Sequence, residues 1–474
     1  MLTTIRQRWH APAGYREVIT LALPLIATTS TTGVQTFIDR LLISWHSSDA
    51  LAATVPASFV CITLTALLMG VASYVSVFVA QFSGARKPDM CSKIVWQGLY
   101  IALAALPLAW LLSLGMTPLF AWIGHAPQIQ VMEVAFSEIL TLAIPLMIAF
   151  TTVAGFFTGL GKAALVMWVN LLITVINLSL DYLLIFGHWG FPSLGVAGAA
   201  WATFLAYGIG TLILLFFFLQ AHLQPSYQTR RTWQWNRALL AQIWRFGFPV
   251  GLQIQLESLA WTVFILVIGS LGVAELTAHS IAMNVFMIVV MPMAGISAAV
   301  AVLVARRMGE GDSALAVRVT SSAMHLGCIL FLFVAAVLIY FPDPMVDLFA
   351  KSMSASLRAE LLPLIQTLLK MMAAYAFLQM MAMMFAGALR GAGDTSFVAR
   401  SGIVVTWGSL VLPVVLLTYF GTSSLILSWW CLVLSGLCLC VVYGLRYRQA
   451  KWRHLTVVDD TLAATGSSVC ETDG

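Results

Sequence analysis

Long apolar stretches dominate the chain, and short polar clusters separate them. Twelve stretches can be read off, at roughly 17–45, 52–84, 94–116, 129–155, 164–186, 196–220, 239–270, 276–305, 319–342, 360–389, 398–420 and 423–445. We number them spans 1 to 12. A helix of about 20 residues crosses the hydrocarbon core of a bilayer. In lipid, apolar runs of this length have to be helical, because no other conformation satisfies the backbone N–H and C=O groups within one segment. A transmembrane barrel would instead show alternation over roughly ten-residue segments. The pattern therefore predicts an all-α integral membrane protein of twelve transmembrane helices.

Composition narrows the field. The 474 residues are 61% hydrophobic and 9% charged, with a mean hydropathy of +0.94. Soluble proteins carry about 25% charged residues, so a soluble enzyme is excluded. The net charge of +5 is small and spread out, which excludes a disordered chain and a nucleic-acid binder. The seven Cys are scattered, mostly within apolar runs, and read as small buried hydrophobes.

Charge placement sets orientation. Of the 24 Lys and Arg, Lys351 and Arg358 fall in one set of loops, and Arg40 and Lys370 fall within spans. All the others share the opposite loops and the tails, Arg86, Arg230, Arg231, Arg306, Arg390 and Arg446 among them. Basic loops stay cytoplasmic, so both termini are expected there. Trp45, Trp122 and Trp189 then fall at outer edges, and Trp96, Trp233, Trp235 and Trp244 at inner edges, as in interfacial belts. The first apolar run is too long for the core of a signal peptide.

The chain also repeats. At a shift of 225 residues, Pro24 meets Pro249, Leu51 meets Leu276, Gly70 meets Gly295 and Gly84 meets Gly309. At a shift of 232, Gly155, Gly159 and Gly161 meet Gly387, Gly391 and Gly393. The reading is a short N-terminus (1–16), a six-helix lobe (17–220), a polar linker (221–238), a second lobe (239–447) and a polar tail (448–474). Six is even, so the two pseudo-symmetric lobes point the same way across the membrane. Such repeats mark secondary transporters, with a substrate path between the lobes. No GxxxxGK[ST] motif is present, so an ion gradient is the expected energy source.

A carboxylate at the bilayer centre costs about 2.5–3.5 kcal/mol, so acids within spans are functional candidates. They are Asp39, Glu133, Glu138, Asp181 and Glu257. Glu133 and Glu138, near the start of span 4, are expected to be solvated. Asp39 lies in the outer half of span 1. Neighbours in sequence point about 100° apart on a helix, so Arg40 is expected to snorkel outward rather than pair with it. Asn170, Thr174, Asn177 and Asp181 form one polar stripe on span 5. This stripe suits a cation or proton site, or bonding between helices. Glu257 is mid-span in span 7, one turn after Gln253. In the repeat Glu257 meets Thr32 and Asp39 meets Phe264, so the acids of the two halves are placed for different tasks. An acid reached alternately from acidic and neutral water can load and release a proton, and an incoming cation competes with that proton. Span 10 is dense in Met, with Met381 among them, which suits a promiscuous surface or ordinary packing. Pro24 and Pro249 are candidate hinges. His279 reads as a packed polar residue with no second metal ligand near in sequence.

Together these segments resemble the multidrug and toxic compound extrusion (MATE) transporters. The resemblance rests on LALPLI at 21–26, FIDRLLIS at 37–44, DALAA at 49–53 and GVASYVSVFVAQFSGA at 70–85. It continues with NLSLDYLLIFG at 177–187, GVAGAAWAT at 195–203, AHSIAMN at 278–284 and ALRGAGDT at 388–395. It implies a bacterial inner-membrane antiporter that exports organic cations and drugs in exchange for protons or sodium. Its partners would be cationic or amphipathic small molecules, the coupling ion and the bilayer. It implies no cofactor, and a monomer. Asp39, Asn177 and Asp181 match the family's first-lobe ion site, and Thr203 its span 6 contributor. Glu257 and Tyr375 match a second-lobe site of one branch, which also uses a span 10 acid. Here that acid is Gln379, so Gln253, Glu257, Tyr375, Gln379 and Met381 are left as candidates for binding the cationic substrate. Losing an anionic ligand weakens a sodium site, which tilts the expectation toward protons. The TGLGK segment at 158–162, where many members carry Arg-Gly, points to a different inner gate.

Other readings remain open at this point. An exporter of a single metabolite fits the same sequence. A lipid-linked oligosaccharide flippase would favour extra helices or a cationic cavity. A membrane-embedded enzyme would need clustered His or paired acids such as HExxH, and a sensor would need a larger signalling domain.

Overall fold

The protein is described by a computed structural model that covers residues 8–340, 355–455 and 457. Among these residues all regular structure is helical. Among the described residues, twelve helices are long and apolar enough to cross a membrane. Spans 1 to 6 are Tyr15–His46, Asp49–Gly84, Pro88–Leu114, Pro127–Gly159, Ala163–Phe186 and Val196–Phe218. Spans 7 to 12 are Arg237–Leu271, Val273–Gly309, Ser313–Ala336, Leu361–Ala392, Thr395–Tyr419 and Leu425–Arg448. Lys351, the side chain of Arg358, Cys470 and nearly all of the tail after Leu455 lie outside the described residues.

Local chemistry sets the ends of these helices. Ser47 stands in extended conformation before span 2, and its side chain accepts from the Asp49 and Ala50 N–H groups at 3.1 and 3.4 Å. It thereby satisfies donors that have no partner inside the helix. Span 5 stops at Gly187, whose φ of +74° is open to glycine at little cost. Span 11 widens into a π turn at Trp407–Val411 just before Pro413. Proline lacks an N–H and crowds the carbonyl four residues back, and the wider turn accommodates it.

The described helices group into two compact units. The first-half unit holds Ala27–Leu252 with Gly309–Gly311. The second-half unit holds the chain up to Ile26, then Gln253–Met308 and Asp312–Leu455. Span 1 thus begins in the second-half unit and finishes in the first-half unit, and span 7 does the reverse. Pro24 lies three residues before the first residue of the next unit, Ala27, and Pro249 four residues before Gln253. Matched glycines make both arrangements possible. In the first-half unit, a Cβ on Gly70 would lie 2.2 Å from the Gly251 Cα. In the second-half unit, a Cβ on Gly295 would lie 2.7 Å from the Ile26 Cα. Gly70 and Gly295 are a repeat pair at the 225-residue shift, and so are Ile26 and Gly251. One close contact is therefore built twice, once in each unit.

One expectation needs correcting. Glu133 is fully buried, not solvated, and its Oε1 lies 2.7 Å from Nδ1 of the exposed His125. The turn before span 4 folds His125 back over the carboxyl, so its place near the helix start does not expose it. The Trp96 indole donates to the Thr229 carbonyl of the linker at 2.7 Å. Its neighbour Gln97, fully buried, donates to the Gln234 carbonyl and accepts from the Asn236 N–H, each at 3.0 Å. The polar linker is thereby pinned along span 3. Trp45, Trp122, Trp189, Trp233 and Trp235 are exposed.

Candidate functional site

Among the described residues, each unit carries a polar cluster that includes candidate site residues. In the first-half unit the stripe of span 5 faces span 1. Asn170 Nδ2 donates to the Thr28 carbonyl at 3.3 Å, and Thr174 Oγ1 donates to Gln35 Oε1 at 3.2 Å. The Gln35 amide nitrogen lies 2.7 Å from the Asn177 side-chain amide. With that amide turned so that its nitrogen faces the carboxyl, Asn177 donates to Asp39 Oδ1 at 3.2 Å and accepts from the Thr203 N–H at 3.3 Å. The carboxyls of Asp39 and Asp181 are within hydrogen-bond reach of each other. Asp181 and Asn177 are sealed from solvent, whereas Asp39 is only partly buried. Arg40 is exposed. The structure brings together Asp39, Asn177, Asp181 and the backbone of Thr203, whose hydroxyl turns away to the Ala199 carbonyl. Sequence reading missed Gln35, although it lies one turn before Asp39 on the same helix face.

In chemical terms this cluster offers two carboxyls side by side, one reachable and one sealed, with an amide clamped to the first. An ionised carboxylate only accepts hydrogen bonds, so a bond between two carboxyls requires a proton.

The second-half cluster sits elsewhere on the repeat. Glu257 Oε1 accepts from Gln253 Nε2 at 2.7 Å, and Gln253 Oε1 accepts from Arg390 Nη2 at 2.9 Å. The Tyr443 hydroxyl donates to the Val398 carbonyl at 3.0 Å and lies 3.4 Å from Gln253 Nε2. At the π turn of span 11, the Trp407 indole donates to the Leu256 carbonyl at 3.2 Å. Tyr375 is buried, with its ring centre 5.3 Å from that of Phe286 and 6.4 Å from that of Trp261. Gln379 follows one turn later, and its buried Oε1 has no hydrogen-bond partner among the described residues. Arg390, placed in a loop by the sequence, closes the last turn of span 10 and reaches back to Gln253. Tyr443 gave no signal in the sequence.

The remaining candidates divide. Met371, Met372, Met380 and Met384 are core, and Met381 and Met383 are partly exposed. His279 is buried between the rings of Phe264 and Trp429, at 5.5 and 5.8 Å. Among the described residues no group of three or more His, Cys, Asp or Glu could hold a metal ion.

With both clusters in place, the comparisons can be weighed. The MatE family profile matches residues 24–183 and 249–420, one stretch in each half. The chain belongs to the MATE family. Among the relatives of this MATE chain is the probable multidrug resistance protein NorM of Pseudomonas aeruginosa. It is 27% identical over 462 residues, covering 96% of this chain and 92% of that one. Multidrug resistance protein PmpM of the same organism is 27% identical over 416 residues, covering 85% and 83%. Among solved structures, a multidrug resistance MATE family transporter in an outward-facing conformation matches with a TM-score of 0.81. It is 20% identical and covers 94% of this chain and 97% of that one. The eukaryotic MATE transporter AtDTX14 matches with a TM-score of 0.80 at 17% identity, covering 95% and 98%. These likenesses establish the MATE fold over nearly the whole length.

Proposed function

We propose that this MATE chain exports organic cations and drugs from the cytoplasm in exchange for protons, by alternating access. The Asp39–Asp181 pair is the observation that carries the reading. Two adjacent carboxyls, one reachable and one sealed, form a site for a proton, and the Asn177 amide holds Asp39 in place for it. A sodium site would need several anionic or carbonyl oxygens around the ion. Gln379, where one branch of the family has an acid, supplies no charge in the second-half cluster. The names of NorM and PmpM as multidrug resistance proteins support a broad substrate range. Glu257, one turn before Trp261, whose ring packs with those of Phe286 and Tyr375, is the element that attracts the cationic substrate, through charge and the faces of the rings. Pro24 and Pro249 serve as hinges where spans 1 and 7 pass between units. The protein works as a monomer in the bacterial inner membrane with both termini in the cytoplasm, in line with the placement of Lys and Arg.

The test is ethidium movement in proteoliposomes under an imposed pH gradient and then an imposed sodium gradient. Pumping on the pH gradient that Asp39→Asn abolishes is the expected result. Pumping on sodium alone would sink proton coupling through the first-half pair. No movement of ethidium or other cationic dyes on either gradient would sink broad drug export.

A further inference from the structure

The coupling scheme leaves one arrangement without a task. In the second-half unit a single amide, that of Gln253, joins a carboxyl of span 7 to a guanidinium of span 10. Glu257 Oε1 accepts from its nitrogen at 2.7 Å, and its oxygen accepts from Arg390 Nη2 at 2.9 Å. Gln253 is almost fully buried. The bare backbone of Gly402 leaves room for it, since a Cβ there would lie 2.5 Å from the Tyr443 hydroxyl and 2.7 Å from Gln253 Nε2. Asp394, the acid nearest Arg390 in sequence, is held by Arg446 Nε at 2.7 Å.

The internal repeat gives these three residues neutral counterparts in the other half. Gln253 and Glu257 meet Thr28 and Thr32 at the 225-residue shift, and Arg390 meets Thr158 at the 232-residue shift. One half carries three neutral hydroxyls where the other carries acid, amide and base.

We infer that Arg390 is a tethered counter-cation for Glu257, relayed by Gln253, which makes the second-half site selective for organic over inorganic cations. The inference rests on the reading of Glu257 as the substrate's acid. Its physics is simple. A hard inorganic cation needs several oxygen ligands and net negative charge. Here it would find one carboxylate, with one oxygen already bonded to an amide and a fixed positive charge two hydrogen bonds away. An organic cation asks for less from the carboxylate. Its charge is diffuse, and its body gains contact with Trp261, Phe286 and Tyr375. Arg390 acts through Gln253, so it is a positioning and specificity residue and not a contact to the substrate.

The experiment is thermal unfolding of the purified full chain in detergent, in sodium chloride against potassium chloride at equal concentration. The native chain and Arg390→Lys are expected to unfold at the same temperature in both salts. Arg390→Gln, and separately Gln253→Leu, are expected to gain about 2 °C or more in sodium. Adding Glu257→Gln to either should remove that gain. If both variants fold and neither shows a sodium-specific gain, Arg390 has only a structural role and the proposal falls. The native chain provides an independent arm. Sodium stabilisation of the native chain that Glu257→Gln removes would overturn the proposal whether or not the other variants fold. No drug or proton gradient enters the readout, so a failure of the efflux reading would be seen separately, in the proteoliposomes.

Discussion

At the scale of single residues, two buried acids in the first-half unit demand opposite outcomes. Asp181 faces another carboxyl, whereas Glu133 faces His125. Asp181→Asn should therefore cut pumping on a pH gradient by about tenfold or more, measured as initial rate in proteoliposomes. Glu133→Gln keeps a polar group facing His125, and the other oxygen of Glu133 has no hydrogen-bond partner among the described residues. Its rate should stay within about twofold of native, and a larger loss would place Glu133 in the transport path. The Asp39 site was legible in the sequence because polar residues at helical spacing stand out on apolar helices. Gln35 shared that spacing and could have been found. Arg390 could not, because a long side chain at a helix end can point into solvent or back along the helix, and spacing does not say which. Glu133 was misjudged for a related reason. Its distance along the helix was readable, but the turn that folds His125 over it was not.

At the scale of elements, backbone proximity does the holding. The contact of Gly70 with Gly251 and that of Gly295 with Ile26 leave no space for a side chain. Gly70→Leu and Gly295→Leu should each cost about 1–3 kcal/mol, read as a lower unfolding temperature in detergent. A neutral result at both would mean that the helices can part without loss. Span 3 offers a second test. Gln97 is buried and holds the linker backbone at Gln234 and Asn236. Gln97→Ala should speed proteolytic cleavage within 221–238 several-fold, with the spans intact on a gel. The helices themselves were readable from hydropathy. The pinning of the linker was not readable, because a lone Gln in an apolar run gives no hint of its partner.

At the scale of the whole molecule, the repeat announced two similar halves and said nothing of which neighbours each half takes. The two units trade the opening segments of spans 1 and 7. A fragment ending in the linker would lack the part of span 7 that packs on Gly70. Fragments 1–228 and 229–474 made separately should therefore be degraded, and made together they should yield a stable, active pair. Stable accumulation of either fragment alone would contradict the exchange. The same feature bears on descent. A six-span protein with these contacts could not close its own core, because its first helix would leave to pack on another copy. Such a protein would be obligately dimeric, each copy lending the other an arm. Fusing two copies into one chain would then add no new contact. It would turn a partnership that depends on concentration into one that every translated chain already contains, and would leave the two copies free to diverge. That divergence is seen in a carboxyl pair in one half and a carboxyl–guanidinium relay in the other.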